Sequence, residues 1–179
     1  MDIKYIQLEE YLKMSYETQQ LIKMAKNDLR ILVKYEDPSF KTLHITEKGN
    51  WIDIKCAEDY IIQKDEFYKL NLGIAMKLPD GYEAYLAPRS GTFEKYGLIQ
   101  TNSIGIIDNS YSGNNDIWKM PVYATRDSVI CKGERLCQFR IAPTMESMAY
   151  HHSASIGMLI VEVDTLDDDD RGGFGSSGR

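Results

Sequence analysis

One acidic side chain stands alone in a stretch of sequence that is otherwise suited to binding a ligand. Asp108 lies within residues 97–113, GLIQTNSIGIIDNSYSG, where the other residues are apolar side chains, small polar side chains, a tyrosine and glycines. Two short strands are predicted at residues 98–99 and 104–107, joined by turn residues. A carboxylate directly after a buried strand, beside glycines that allow close approach to the backbone, can act on something bound there. The alternative interpretation is a solvated acid at the end of an ordinary β-hairpin.

Three further segments carry side chains of the kinds that hold phosphate groups or metal ions. Residues 87–91, APRSG, precede a predicted short helix, so exposed backbone amides and the guanidinium of Arg89 favour an anion site. Arg135 and Gln138 are three residues apart in a predicted strand, which places them on opposite faces, one for the ligand and one to brace the site. Asp53 stands among apolar neighbours as either a satisfied structural acid or the indirect holder of a metal ion.

The C-terminal residues have a composition unlike the rest of the chain. Residues 167–170 are four aspartates, and residues 171–179, RGGFGSSGR, contain four glycines. Such a segment is typical of a disordered end. It also holds one aromatic residue, two arginines and two serines, which are the ingredients of a loop that closes over a phosphorylated ligand.

The elements that position these segments are mostly short strands. Residues 29–35 alternate as a strand, and residues 69–78 alternate strictly before the turn Pro79-Asp80-Gly81. Further strands are predicted at residues 82–86, 118–124, 128–131, 136–141 and 158–163. Pro121 makes the second of these an edge strand or a broken one. Many short strands at regular spacing predict an antiparallel sandwich or barrel.

The N-terminal residues follow a helical pattern instead. Residues 5–26 lack Gly and Pro, are rich in Leu, Glu, Gln, Lys and Met, and repeat apolar side chains at steps of three and four. We therefore expect an amphipathic helix, which packs on the body of the protein or on a neighbouring subunit.

Length and composition restrict the class of protein. A chain of 179 residues with 43% hydrophobic and 27% charged residues is typical of one domain with a sizeable core. No apolar run approaches the roughly 18 residues of a membrane span and the N-terminal sequence is too charged for a secretory signal, so we expect a cytoplasmic protein with no membrane contact. The net charge of -6 argues against nucleic acid as a partner. Three cysteines without CxxC spacing argue against both a disulfide framework and a zinc site.

In this order, the segments resemble the five motifs of the homotrimeric dUTP pyrophosphatase (dUTPase) family. The first four motifs match Asp53-Ile54 with Ala57, residues 87–91, residues 105–108 with Tyr111 and Gly113, and residues 133–135 with Gln138. The fifth resembles residues 171–178. The resemblance covers about residues 29–179 and implies an all-β fold, a distorted antiparallel β-barrel or jelly roll of the dUTPase type with the N-terminal helix added.

This fold suggests a division of the chain into three parts. They are an N-terminal helical extension over residues 1–28, a dUTPase-like β-barrel domain over residues 29–166, and a flexible glycine-rich C-terminal arm over residues 167–179.

The resemblance implies an enzyme that hydrolyses dUTP to dUMP and pyrophosphate. The acid matching Asp108 would orient the water that attacks the α-phosphorus of a metal-bound triphosphate. Mg²⁺ would be held by the triphosphate and by water molecules, and Asp53 would touch those waters. Sites of the family form where three subunits of a homotrimer meet, so a monomer should be inactive.

The same resemblance implies how the substrate is bound. Tyr111 would stack under the deoxyribose and exclude a 2′-hydroxyl, while uracil would be read by backbone groups of the hairpin and by the side chain of Asn102. Ser90 and Gln138 would bind the phosphate chain, and Phe174 of the tail would cover the uracil ring. The implied substrate-binding residues are Arg89, Ser90, Gly91, Asn102, Gly105, Tyr111, Arg135, Gln138, Arg171, Phe174, Gly175, Ser176 and Ser177.

Departures from the family pattern leave several points open. The fifth motif is two residues shorter than the common RGxGGFGSTG form, so either Phe174 or another aromatic such as Trp118 would cover the uracil. Ser112 stands where an arginine frequently follows the tyrosine of the third motif, which changes the expected contacts between subunits. Residues 50–52 replace a common Ala-Gly-Tyr, which weakens the implied role of the acid that follows.

Two alternative functions use the same features. A dCTP deaminase shares the fold, but its reaction would require a glutamate at the base pocket, where this chain has Asp108. A regulatory protein whose protein partner is displaced by the nucleotide is suggested by the added helix and the acidic run. This regulatory role can coexist with catalysis.

Overall fold

Strands dominate the residues that the computed structural model describes, which are 3–6, 29–46, 49–148, 158–166 and 168–170. The strands are β1 (Ile3–Ile6), β2 (Leu29–Tyr35), β3 (Leu43–His44), β4 (Ile52–Lys55), β5 (Tyr60–Ile62), β6 (Phe67–Asn71), β7 (Ile74–Lys77), β8 (Tyr82–Pro88), β9 (Leu98–Gln100), β10 (Gly105–Ile107), β11 (Lys119–Ala124), β12 (Ser128–Ile130), β13 (Arg135–Pro143) and β14 (Met158–Glu162). The described helices are α1 (Thr92–Tyr96) and α2 (Met145–Met148). The predicted all-β fold is confirmed.

The strands form four sheets, one of which collects the predicted motifs. The sheet orders are β1-β14-β2-β7, β10-β8-β13-β4-β3, β6-β11-β9 and β12-β5. Pairing is antiparallel except at β14, which is parallel to both β1 and β2. The five-stranded sheet contains β4, β8, β10 and β13, which are the strands that carry or lead into the first four motifs.

The core is built from the inward-facing side chains of these strands. Burial alternates along β2 as predicted, with Ile31, Val33 and Tyr35 buried. Trp118 is 1% exposed and packs edge-on against Phe139, with ring centroids 5.3 Å apart at an interplanar angle of 83°. The suggestion that Trp118 covers the uracil is therefore wrong, because its ring lies inside the core.

The strictly alternating segment at residues 69–78 forms two strands instead of one. β6 pairs with β11 and β7 pairs with β2, so the chain changes sheets at Gly73, where φ is +64°. A Cβ at Gly73 would lie 2.7 Å from the Cβ of Ala57, so glycine is required for both conformation and space. Leu72 and Ile74 are fully buried on either side of the bend, which explains why the alternation continues through it.

β11 is neither an edge strand nor broken, contrary to the prediction from Pro121. It lies between β6 and β9. The carbonyl of Pro121 accepts the N–H of Thr101 at 3.1 Å, so the polar groups of Pro121 face the β9 side. The residue pairs with β9 run from Val122 to Ala124, so this pairing begins one residue after Pro121. The missing N–H therefore falls just beyond that ladder, where a central strand tolerates proline.

The helix predicted over residues 5–26 is wrong at its first two residues. Tyr5 and Ile6, expected to begin the helix, lie in β1 opposite Ile160 and Val161, whereas residues 7–28 lie outside the described part of the chain.

Among the described helices, none has the length and apolar character needed to cross a membrane.

The three cysteines are unpaired. Cys56 and Cys137 are buried and Cys131 is exposed. Burial raises the pKa of the Cys56 thiol to about 11 and also raises that of Cys137, so both buried thiols stay protonated as core side chains.

Candidate active site

Asp53 joins the first, second and fourth motifs through two ion pairs. It lies on β4 between the core residues Ile52 and Ile54, so its side chain projects to the opposite face, where the residue is 5% exposed. Its Oδ1 pairs with Nε of Arg89 at 3.1 Å, and its Oδ2 accepts a hydrogen bond from Nη1 of Arg135 at 3.1 Å. Both carboxylate oxygens therefore hold arginine side chains of this chain.

A β-bulge in β13 places Arg135 and Gln138 on the same face of the sheet. The register against β4 shifts between Arg135 and Cys137, and the consecutive residues Leu136 and Cys137 are both fully buried. Gln138 then lies opposite Asp53, to which Arg135 is bound. The prediction that the two side chains face opposite sides is wrong, because the extra residue of the bulge shifts the alternation by one.

The turn between β8 and α1 is fixed to the same bulge. The N–H of Arg89 donates to the carbonyl of Leu136 at 3.1 Å, and the buried hydroxyl of Thr92 donates to that carbonyl at 2.6 Å. Ser90 and Gly91 between them are exposed. The short helix predicted after residue 91 is confirmed, and the polar groups of this turn lie beside the ion pairs of Asp53.

A cleft of about 650 Å³ opens between α1 and the turn before β13. Arg89 and Arg135 contribute to its lining. Nζ of Lys95 on α1 binds Oε1 of Glu134 at 2.6 Å and so connects the two walls. Two guanidinium groups in a polar cleft are suited to a phosphorylated ligand.

Asp108 follows the last residue of β10 and holds the turn that comes next. Its Oδ1 accepts hydrogen bonds from the N–H of Ser110 at 2.9 Å and from the hydroxyl of Ser110 at 2.7 Å. Its backbone carbonyl accepts the N–H of Tyr111 at 3.0 Å. This local turn orients the carboxylate, which is exposed. The strand before it is only partly buried, because Ile106 is 57% exposed, so the prediction of a buried strand there is wrong.

The hairpin predicted around residues 98–107 is a connection between two sheets. Both strands are present, but β9 pairs with β11 and β10 pairs with β8. Asn102 is exposed in the turn between them. Gly105 lies opposite Leu86, and a Cβ on Gly105 would be 3.1 Å from the Cβ of Leu86, so glycine permits the close approach of β10 to β8.

Tyr111 is a half-buried wall beside this turn. Its hydroxyl donates to the carbonyl of Ile117 at 3.2 Å, and its ring packs against the core. Burial, with the nearby charges of Asp116 and Asp170, raises the pKa of the Tyr111 phenol. The Tyr111 side chain is therefore uncharged at neutral pH, and its hydrogen bond and core contacts hold the ring in place.

Part of the acidic run packs against the loop after Tyr111. We name residues 168–170 the acidic strap. Asp168 accepts a hydrogen bond from the hydroxyl of Ser112 at 2.9 Å and pairs with Nζ of Lys77 at 2.7 Å. Ser112 is 3% exposed, so a small side chain fits where the family frequently has an arginine.

The strap also explains the glycine of the third motif. Asp170 accepts hydrogen bonds from the N–H of Asn115 at 2.7 Å and from its Nδ2 at 2.5 Å. A Cβ on Gly113 would lie 2.4 Å from the Cα of Asp170. The expected flexible arm is thus held to the body at residues 168 and 170, which sequence patterns did not indicate. Residues 171–179, including Arg171, Phe174, Gly175, Ser176 and Ser177, lie outside the described residues.

Asp108 and the two predicted arginines lie near opposite ends of β8. Asp53, Arg135 and Gln138 gather beside the turn after Pro88. Asp108 follows Ile107, which pairs with Ala84 near the other end of β8. The five residue-to-residue steps from Ala84 to Arg89 span about 16 Å of extended strand. Within one chain, Asp108 therefore lies too far from Arg89 and Arg135 for a direct hydrogen-bonded contact.

Comparison with known proteins identifies the family. The dUTPase family model matches residues 46–178. The chain is 48% identical over 150 residues to the SPbeta prophage-derived deoxyuridine 5'-triphosphate nucleotidohydrolase YosS of Bacillus subtilis strain 168, covering 84% of this chain and 99% of that protein. It is 31% identical over 154 residues to the deoxyuridine 5'-triphosphate nucleotidohydrolase of Hydrogenobaculum sp. strain Y04AAS1, with 84% and 99% covered. The crystal structure of dUTPase from Streptococcus mutans superposes with a TM-score of 0.55 at 26% identity, over 62% of this chain and 91% of that one. The chain belongs to the dUTPase family.

Proposed function

We propose that the protein is a homotrimeric dUTP diphosphatase, which hydrolyses dUTP to dUMP and pyrophosphate in sites shared between subunits. The observation that carries this proposal is the separation of Asp108 from Arg89 along β8. A catalytic base must lie within hydrogen-bond reach of the reacting atoms, directly or through one water. Asp108 of one subunit therefore acts together with the arginines of a neighbouring subunit.

An exposed apolar row supports contact between subunits. Tyr123 on β11 is paired with Phe67 on one side and with Ile99 on the other. Their exposed fractions are 39%, 54% and 48%. Neighbouring apolar side chains of this size on a sheet face are typical of a surface that another protein chain covers. A second copy of this chain is the partner we propose for it.

Asp108 orients the attacking water. Because Ser110 holds Oδ1, the direction of the carboxylate is set before substrate binds. The water bound to it gives a proton to the Asp108 carboxylate as it attacks the α-phosphorus, the bond from that phosphorus to the bridging oxygen breaks, and pyrophosphate leaves. The reaction needs a positioned base and charge stabilisation, and no covalent intermediate with the protein.

We name the group formed by Arg89, Arg135 and Gln138 the arginine face. It binds the phosphate chain, which would bring the metal ion with it. Arg89, Ser90, Gly91, Arg135 and Gln138 supply cationic groups, a hydroxyl, a backbone amide and a side-chain amide. The described residues contain no group of three His, Cys, Asp or Glu side chains that could hold a metal ion. Mg²⁺ bound to the triphosphate would fit this site, since it would take its oxygen ligands from phosphate and water and would neutralise phosphate charge.

Asp53 has a positioning role in this proposal. Both of its oxygens bind arginine, so a water-mediated contact is the role we propose for it toward Mg²⁺. Its main contribution is to hold Arg89 and Arg135 in the directions that meet the phosphates.

Base and sugar selection are assigned to β10 and to the turns before and after it. Tyr111 lies under the deoxyribose and leaves no room for a 2′-hydroxyl, and Asn102 with the backbone near Gly105 reads uracil. The C-terminal arm then closes the site, with Arg171, Ser176 and Ser177 on the outer phosphates and Phe174 over the base beside Gly175. A cytoplasmic location and a protein partner displaced by nucleotide remain predictions from the sequence.

A nucleotide panel tests this function. Purified protein with Mg²⁺ is given dUTP, dCTP, dTTP or UTP, and pyrophosphate and ammonia are measured together. We expect pyrophosphate from dUTP alone, no ammonia from any nucleotide, and at least a hundredfold loss of kcat in Asp108→Asn. Ammonia released from dCTP would favour the deaminase, and full activity of Asp108→Asn would contradict the assigned mechanism.

A further inference from the structure

A buried amide outside all five motifs connects the base-reading turn to β8. Gln100 is the last residue of β9 and is 5% exposed. Its Nε2 donates to the backbone carbonyl of Leu86 at 3.1 Å and to Oδ1 of Asn102 at 2.9 Å. The NH2 group of Gln100 therefore donates both of its hydrogens, one to Leu86 in the neighbouring sheet and one to Asn102, the residue assigned to recognition of the base.

These contacts determine which end of each amide faces which partner. A backbone carbonyl can only accept, so the group of Gln100 that meets Leu86 must be its NH2. The second hydrogen of that NH2 needs an acceptor, so the atom of Asn102 beside it must be the carbonyl oxygen. The NH2 of Asn102 is then turned away from Gln100. A Cβ built on Gly105 would lie 3.6 Å from this nitrogen, which places the NH2 over the backbone where β10 begins.

Packing alone does not account for a glutamine at this position. Oε1 of Gln100 is buried and has no hydrogen-bond partner among the described residues. An unsatisfied buried acceptor lowers stability, so an apolar side chain of similar size would serve a purely structural position better. The two bonds donated by Nε2 are what the glutamine contributes.

We propose that Gln100 is a positioning residue for base selection, which fixes the amide of Asn102 so that its NH2 is offered to the base. The proposal rests on the dUTP diphosphatase function. Uracil has a carbonyl oxygen at C4, where cytosine has an amino group. A fixed NH2 donor therefore pairs with the C4 oxygen of uracil. In cytosine the same donor faces the amino group, which is also a donor. The hydrogen bonds from Leu86 through Gln100 to Asn102 fix the orientation of the Asn102 amide and thus favour dUTP over dCTP.

The first test replaces Gln100 by leucine, which keeps the size of the side chain and removes the donor. For Gln100→Leu we expect the KM for dUTP to rise about tenfold with kcat nearly unchanged, and the preference for dUTP over dCTP in kcat/KM to fall about tenfold. Gln63→Leu, the same change at an exposed position outside the motifs, is the matched control and should leave both quantities unchanged. An unchanged preference in Gln100→Leu would overturn the proposal.

A double-mutant cycle separates positioning from a general structural effect. If Gln100 acts through Asn102, then adding Gln100→Leu to Asn102→Ala should change the KM for dUTP no further. A further rise equal to that in the wild-type background would show that Gln100 acts independently of Asn102, which contradicts the proposal.

Asn102→Asp tests the same orientation without altering the buried residue, in case Gln100→Leu does not fold. One oxygen still accepts from Gln100, and the other now offers an acceptor to the base. We expect weaker binding of dUTP and a shift of preference toward dCTP; a shift of equal size for both nucleotides would count against the proposal. Wild-type protein that fails to hydrolyse dUTP would instead overturn the diphosphatase function itself.

Discussion

Replacing Asp53 by asparagine removes the charge that holds the arginine face together. The side chain of Asp53 is 7% exposed, whereas those of Arg89 and Arg135 are 36% and 38% exposed. Removing one partner of a fully buried ion pair costs roughly 3–5 kcal/mol, but solvent at the two arginines reduces the loss here to about 2 kcal/mol. For a chain of this length, that loss corresponds to a fall in Tm of about 4–8 °C. The KM for dUTP should rise as well, because neither guanidinium keeps its direction.

Thermal unfolding of equal concentrations of each variant measures this effect. Asp37→Asn is the matched control, because Asp37 pairs with Lys132 at 3.1 Å with side chains 47% and 42% exposed. An exposed pair of this kind contributes little, so the control should leave Tm and KM unchanged. If Asp53→Asn lowers Tm no more than Asp37→Asn does, Asp53 does not organise this face of the sheet.

Two further predictions concern the acidic strap and the bend between β6 and β7. Hydrogen bonds from Lys77 and Ser112 lower the pKa of the Asp168 carboxyl, and those from Asn115 lower the pKa of Asp170. Such groups stabilise the docked strap above about pH 4 and lose that contribution as pH falls through the lowered pKa values, so NMR signals of the Asn115 side-chain amide should titrate below the ordinary carboxyl range. Gly73→Ala should lower the free energy of unfolding by about 2 kcal/mol or more, measured with denaturant, because φ is +64° there and Ala57 lies 2.7 Å from the new Cβ. Gly91→Ala, with no atom within 4 Å of the added Cβ, is the stability control.

The strands were predictable where one face of a strand is buried. β2 follows the period of its sequence because Ile31, Val33 and Tyr35 are buried in turn. The same rule failed at residues 69–78, since Leu72 and Ile74 are buried in a chain that changes sheets. Periodicity reports which side chains are buried, and it does not report which strand lies alongside. The glycine at position 73 was the available signal, because a glycine in the middle of an alternating pattern often marks a bend.

The candidate site was predictable in its residue types and less so in its geometry. The order of motifs identified Asp53, Arg89 and Arg135, but their ion pairs depend on the order of strands in the sheet. The bulge in β13 was not visible in the sequence, because Leu136 and Cys137 read equally well as an ordinary strand. Gln100 was missed because a single polar residue at the end of a strand has no pattern of its own.

Complementation between two inactive variants tests the shared site most directly. Asp108→Asn and Arg135→Ala are purified separately, shown to be inactive, then unfolded, mixed in equal amounts and refolded together. If the acid and the arginine of one site come from different subunits, about a quarter of the sites in random trimers contain both intact residues. We therefore expect about one quarter of the wild-type rate of pyrophosphate release from dUTP. If both residues of a site come from the same chain, no chain in the mixture has an intact pair, and a mixture that stays inactive while forming trimers would contradict the shared site.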